Sequence, residues 1–258
     1  CPSLKNRITS AANASEVIVD GMTVAMSGYA MAGYPKAIPE ELARRKQEGQ
    51  NLAIKMITGA NVPWLDEFLG GSEVISERVP MCAHRVLSSQ INSHRVSYVE
   101  QQMCKMSRLL RSHSFGEIDI VVVEALALTE EGLIPTTSVG LTKYLLEAAN
   151  EIIVEVNSAQ PELLYGLHDI YLPEPPPATK PIPLTSCTDR IGLEFIPFNS
   201  SKIKFIVETD KQENEPQSAA YTPESKKIAE ALFSFLENEY HTKSGGKLPP
   251  IQLGFGNI

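Results

Sequence analysis

No stretch of this chain approaches the roughly 20 consecutive apolar residues that a membrane-spanning helix requires. The opening residues "CPSLKNRITS" carry no apolar segment of a secretory signal. No membrane partner is expected. Cysteine is scarce: Cys1, Cys82, Cys104 and Cys187 are widely spaced and form no CxxC pair. That pattern suits reduced thiols in a cytoplasmic protein and argues against a disulfide framework or a zinc site. The five histidines are scattered, without HExxH or H-x-H spacing, so no metal is expected. Basic residues are outnumbered, 23 Lys and Arg against 31 Asp and Glu, for a formal net charge of -8. Such a balance argues against nucleic acid or anionic membrane as the main partner, yet leaves a local basic pocket open to an anionic ligand. Also missing are a GxSxG elbow, a Walker loop and a GxGxxG turn after a strand.

What is present is an ordinary globular composition, 43% hydrophobic and 21% charged over 258 residues, enough for one large α/β domain or a domain and a half. Short β-rich runs alternate with helical patterns. Residues 22–28, 52–60, 118–128, 152–157 and 203–209 read as strands. Residues 35–49, 142–151 and 223–241 read as helices, the first entered through prolines and stopped at Gly49. Strand "IDIVVVEALAL" is apolar almost throughout, as a strand covered on both faces should be. This alternation predicts crossover units: an α/β fold with an open, mostly parallel sheet and helices on both faces. Such sheets bind ligands beyond the carboxyl ends of their strands. That rule singles out Ser27-Gly28-Tyr29, Thr58-Gly59-Ala60 and Asn157.

Residues 172–190 are dense in proline and read as an extended strap, a surface connector or a pocket wall. Residues 209–225 read as a mobile surface loop. Cys82 and His84 lie two apart without a third orienting group, which favours an incidental thiol. Glu124, Glu155 and Glu208 fall in or at the end of apolar strands, where a carboxylate must be paired, hydrogen-bonded or protonated. Each taken alone reads as structural, and Glu155 could point to a sheet edge. The loop "SGYAMAGYPKAIP" (27–39) is more telling: its glycines permit close approach of a ligand, and the helix that follows offers N–H groups to an anion, with Lys36 beside them.

Several stretches, taken in order, resemble the class I CoA-transferases, in the branch of acetyl-CoA hydrolases and succinyl-CoA:acetate CoA-transferases. Residues 20–45, "DGMTVAMSGYAMAGYPKAIPEELARR", are similar to that branch's strand, SGF-like turn and G-x-P-K-A-V/I-P helix start. "SVG" (138–140) and "ANEIIVEVNSAQPELLYGLHDIYLP" (149–173) are similar to later segments, and "LPPIQLGFGNI" (248–258) is similar to the branch's glycine turn. Leu253 stands where the branch usually has serine, and its "QLG" is similar to butyryl- and 4-hydroxybutyrate-CoA transferases. Residues 82–113 are only loosely similar.

The resemblance implies a two-domain enzyme with its active site between two α/β halves. It implies residues 1–245 as the N-terminal domain and 246–258 as the truncated start of the second. It implies coenzyme A contact at Gly254, Phe255, Gly256, Asn257 and Ile258, with Ser27, Gly28 and Tyr29 lining the cleft for the acyl group or pantetheine. The nucleophile it implies is a glutamate of a T-E pair beyond Ile258, so no catalytic residue is assigned within the chain. Its carboxylate would attack an acyl-CoA thioester and pass through a glutamyl-CoA thioester to an acceptor acid such as acetate. Acyl-CoA and a short-chain carboxylate are the expected partners, with a second domain or subunit and a homodimer of the full protein. A first residue other than Met and a last residue inside a turn suggest that both ends continue. The rivals are an acyl-CoA hydrolase on the same scaffold and a non-catalytic half that binds CoA or a partner chain.

Overall fold

The computed structural model describes residues 2–82, 84–214, 222–242, 245–247 and 251–252. The strands are β1 (Thr23–Met26), β2 (Ile54–Thr58), β3 (Ile75–Val79), β4 (Ser97–Tyr98), β5 (Ile118–Ala125), β6 (Ala127–Leu128), β7 (Leu133–Ile134), β8 (Ala149–Asn157) and β9 (Ile203–Thr209). The helices are α1 (Ala11–Ser15), α2 (Ala37–Gln47), α3 (Pro63–Gly71), α4 (Arg85–Asn92), α5 (Met103–Arg111), α6 (Thr142–Ala148) and α7 (Pro223–Thr242).

Seven strands form one sheet in the order β4-β3-β2-β1-β5-β8-β9, and every neighbouring pair is parallel. β6 and β7 form a separate antiparallel pair. The order runs outward from β1 in one direction and from β5 in the other, so the loops leaving these two strands diverge to opposite sides of the sheet. That divergence opens a crevice at their carboxyl ends, where ligands of open α/β sheets bind.

Period-two alternation puts the central strands between two cores. Val24, Met26, Ile120 and Val122 join Ile38, Leu42, Leu65, Leu69 and Leu87 of α2, α3 and α4. Ala25, Val121, Val123 and Val154 join Met106 and Leu110 of α5 and Leu145 and Leu146 of α6. Helices therefore cover both faces. Residues 1–214 form the compact unit that carries the sheet, and 215–258, which include α7, form a second unit.

Two readings from periodicity need correction. The helix expected over 142–151 ends at Ala148, because Ala149–Asn157 join β8 and pair with β5 from Ile118↔Ala149 onward. Ladder hydrogen bonds outweigh the helix preference of Ala and Glu there. β3, β4 and the helices α3 to α5 were not expected. In β3 the charge that masks the strand is Arg78, wholly buried and paired with Asp66 of α3 at 2.7 Å. The proline-rich strap has no regular element and is largely exposed. Its neck is tied by Ile170 and Leu193, whose backbones exchange hydrogen bonds of 2.8 and 3.0 Å. Pro173, Pro175 and Pro176 line a depression of about 470 Å3 with Arg108, Arg111 and Tyr144.

Candidate functional site

The carboxyl ends of β1, β5 and β8 bring together side chains that are remote in the sequence. Glu124, near the end of β5, is buried, and its Oε1 accepts from Lys36 Nζ and Asn157 Nδ2, both at 2.6 Å. Its Oε2 accepts from Thr136 Oγ1 at 2.7 Å. Lys36 Nζ also donates to the Tyr34 carbonyl at 2.9 Å and stands 4.4 Å from the Tyr34 ring centroid. The ion pair is therefore embedded in a fully bonded network, the condition under which a buried charge is tolerated.

Glu155, one strand over, takes the helix start for itself. Its Oε2 accepts the Lys36 and Ala37 N–H groups at 2.7 and 3.0 Å, and its Oε1 accepts the Ile38 N–H at 2.7 Å. Burial pushes this carboxyl up, and the three N–H groups oppose that shift. All three described partners donate, so the geometry is that of a carboxylate. The sequence-based expectation that α2 offers its first N–H groups to a ligand is thus corrected: an internal anion fills them. Nor does Glu155 face a sheet edge, since β8 lies between β5 and β9. Glu208, the third strand carboxylate, is exposed and lines a depression of about 380 Å3 with Ser158, Thr209 and Asp210.

Ser27, Gly28 and Tyr29 occupy different environments. Ser27 is buried: its Oγ donates to the Gly33 carbonyl at 2.9 Å and accepts the Glu124 N–H at 3.0 Å, joining the β1 loop to β5. Gly28, at φ +121°, packs so closely that a Cβ would lie 2.9 Å from Tyr34 Cβ. Tyr29 is 51% exposed. It opens a tight turn in which Tyr29 and Ala32 exchange backbone hydrogen bonds of 3.0 and 3.1 Å. Ser138, in the "SVG" stretch, donates to the Ala32 carbonyl at 2.9 Å, and Gly59 lies against Gly28 and Leu141. The loops after β1, β2 and β7 thus form one contiguous rim. Gly254, Phe255, Gly256, Asn257 and Ile258 lie outside the described residues.

Residues 209–214 are not the loose loop expected for 209–225. Asn157 Nδ2 donates to the Lys211 carbonyl at 2.7 Å, and Lys211 Nζ pairs with Glu40 at 2.6 Å. Glu213 Oε1 accepts the Gly33 N–H and, at 2.8 Å, the Thr137 hydroxyl. The Asn214 N–H donates to the Tyr34 hydroxyl at 3.1 Å. Burial raises the Tyr34 phenol above its ordinary value, with the Glu213 and Glu124 charges adding to the rise and the Asn214 N–H opposing it. Residues 215–221 lie outside the described set. Gly33 belongs to the 27–39 loop whose glycines the sequence marked, whereas Thr137 and Glu213 escaped sequence reasoning because no local pattern marks them; only the "SVG" stretch beside Thr137 hinted at this rim.

The Cys82–His84 pair has an acidic neighbour after all, since His84 Nε2 lies 3.5 Å from Glu67. The sulfur, however, faces the His84 carbonyl at 3.7 Å and Ser88 Oγ at 3.5 Å. Among the described residues no group of three His, Cys, Asp or Glu is placed to hold a metal ion, and no helix is long and apolar enough to cross a membrane.

Comparison with known proteins places this geometry. Residues 3–213 match the family model of the acetyl-CoA hydrolase/transferase N-terminal domain. Over 99% of the chain, it is 32% identical to a succinyl-CoA:acetate CoA-transferase from Clostridium kluyveri, covering 48% of that protein. It is 31% identical to a propanoyl-CoA:succinate CoA transferase from Escherichia coli, over 95% of the chain and 51% of that protein. It is 32% identical to an acetyl-CoA hydrolase from Schizosaccharomyces pombe, over 99% of the chain and 53% of that protein. RipA from Yersinia pestis shares the fold, with a TM-score of 0.60 at 18% identity over 90% of this chain and 49% of that one. The chain spans about half the length of these curated relatives. With the matched segment covering the whole parallel sheet and its rim of loops, the chain belongs to the acetyl-CoA hydrolase/transferase family, as its N-terminal domain.

Proposed function

We propose that this chain is the N-terminal part of an acyl-CoA:carboxylate CoA-transferase, moving CoA between a short-chain acyl-CoA and an acid such as acetate. The observation that carries this reading is the match to a succinyl-CoA:acetate CoA-transferase over 99% of the chain. In this reading a glutamate of a second domain, on the same polypeptide or a partner subunit, attacks the thioester. It passes through an anhydride to a glutamyl-CoA thioester, which the acceptor carboxylate then opens. The crevice after β1 and β5 forms this half's wall of the site. Tyr29 presents an exposed ring at its rim, while Ser27 and Gly28 hold the rim's shape. Gly254, Phe255, Gly256, Asn257 and Ile258 begin the second domain and contact CoA, glycine allowing its thioester arm to approach the backbone. The working enzyme is a homodimer.

A second reading, an acyl-CoA hydrolase, is favoured by the likeness to acetyl-CoA hydrolases. The two differ only in whether water or a carboxylate opens the enzyme-bound thioester. The test incubates the protein, with its second domain, in acetyl-CoA with or without labelled succinate. Transfer of CoA to succinate, with CoA release slow in its absence, supports the transferase. Full-rate release without acceptor assigns the hydrolase, and no turnover under either condition defeats both.

A further inference from the structure

Glu213, unlike Glu124 and Glu155, is a partly exposed carboxylate at the rim of the crevice. Its Oε1 is held by two donors from adjoining loops of the rim, the Gly33 N–H from the loop after β1 and Thr137 Oγ1 from the loop after β7. We infer that Gly33 N–H and Thr137 Oγ1 form a subsite for the carboxylate of a short-chain acid, and that Glu213 occupies it as an internal stand-in. The proposal deepens the CoA-transferase reading and rests on it for the substrate class.

The backbone donor is set before any ligand arrives. The Ala32–Gly33 peptide is planar, so its carbonyl and its N–H point in opposite directions. Ser138 Oγ at 2.9 Å and the Tyr29 N–H at 3.0 Å hold the Ala32 carbonyl, which aims the Gly33 N–H the other way, at Glu213. Ser27 Oγ holds the next carbonyl, that of Gly33, at 2.9 Å. Gly33 has φ +65°, and a Cβ there would meet Ser138 Oγ at 2.5 Å, so this approach is open to glycine alone. A backbone N–H and a hydroxyl converging on one oxygen can recognise an anion, and charge strengthens each bond. Beside them on the same turn, Tyr29 and Met31 are 51% and 38% exposed, apolar flanks suited to an acid with a short hydrocarbon tail.

Glu213 differs from Glu124 and Glu155 in what its carboxylate supports. Those two are buried under strands, whereas Glu213 is partly exposed on the segment that follows β9. Its side chain can leave without opening a core, and an acid can take its place.

The test is an amide NMR titration of the chain without CoA. In the native chain the Gly33 amide proton should lie downfield and respond to sodium acetate only at high concentration, because the tethered Glu213 competes for the same donors. In Glu213→Ala it should move upfield, then return downfield along a saturable curve as acetate or propionate is added, with sodium chloride at equal ionic strength as control. Adding Thr137→Val should weaken that binding about tenfold, the loss expected of one charge-assisted hydrogen bond. Unchanged amide dispersion outside the loops verifies the fold. Should Glu213→Ala unfold, Glu213→Gln keeps the shape with a neutral, weaker acceptor, and acetate should displace it in the same saturable manner. An identical response to acetate and chloride in a folded variant overturns the inference. Because no CoA is present, that failure leaves the transferase reading to its own assay, and failure of the assay leaves the titration standing.

Discussion

Glu155 Oε1 accepts the Ile38 N–H at 2.7 Å across 117 residues of sequence, and through its two oxygens this carboxylate caps the start of α2 from the neighbouring side of the sheet. Helix starts leave N–H groups without internal partners, and here a strand supplies the missing acceptor. The helix is thereby pinned to β8, and the loop between β1 and α2, which forms the crevice rim, is held at its far end.

Removing that cap should be costly. Glu155→Ala leaves three buried N–H groups without acceptors, and Glu155→Gln turns an amide NH2 toward donors. Each variant should lose about 3–5 kcal/mol in urea unfolding. A loss below about 1 kcal/mol in either would mean that Glu155 does not hold α2.

Lys36 and Glu124 should show strong coupling. Lys36→Met strips the Glu124 carboxylate of its cation inside the core and should cost about 3–5 kcal/mol. The double variant Lys36→Met/Glu124→Gln removes both charges and should recover much of that loss, as a double-mutant cycle would measure. Additive losses would contradict the pairing seen at 2.6 Å.

Two glycines with similar backbone angles should respond differently to alanine. Gly33 (φ +65°) faces Ser138, whereas a Cβ added at Gly49 (φ +89°) would meet nothing within 4 Å. Gly49→Ala should cost about 1–2 kcal/mol for the left-handed backbone alone. Gly33→Ala should cost more and should shift the Ser138 and Thr137 resonances. Equal losses would remove the argument for close packing at the rim.

The phenol of Tyr98 gives a pH signature. Burial, and then its hydrogen bond to Glu100, push it from 10.0 up to about 12. The folded state therefore keeps this proton after the unfolded chain has released it. Its contribution to stability is fully present below pH 10 and is lost as the pH rises through about 12. Ultraviolet titration should show one tyrosine step near 12 that disappears in Tyr98→Phe. A native chain whose tyrosines all titrate near 10 would remove this claim.

Local periodicity and punctuation were enough to read the α/β class, the both-face burial of β5, the limits of β9 and the start of α2. They also marked Glu124, Glu155 and Glu208 as carboxylates in apolar strands that need partners, which holds for the two buried ones and not for the exposed Glu208. Lys36 they marked only as a charge beside the helix start. Which partner each takes came from the packing of distant segments. Strand order sets that choice: β1 beside β5 and β5 beside β8 bring Lys36 to Glu124 and the α2 start to Glu155. The same holds for Arg78, whose charge hid a strand until Asp66 was seen against it, and for Gly33, Thr137 and Glu213, which no spacing connects. Contacts between residues far apart in the chain depend on where parallel crossovers return, and that geometry is written in no local stretch of residues.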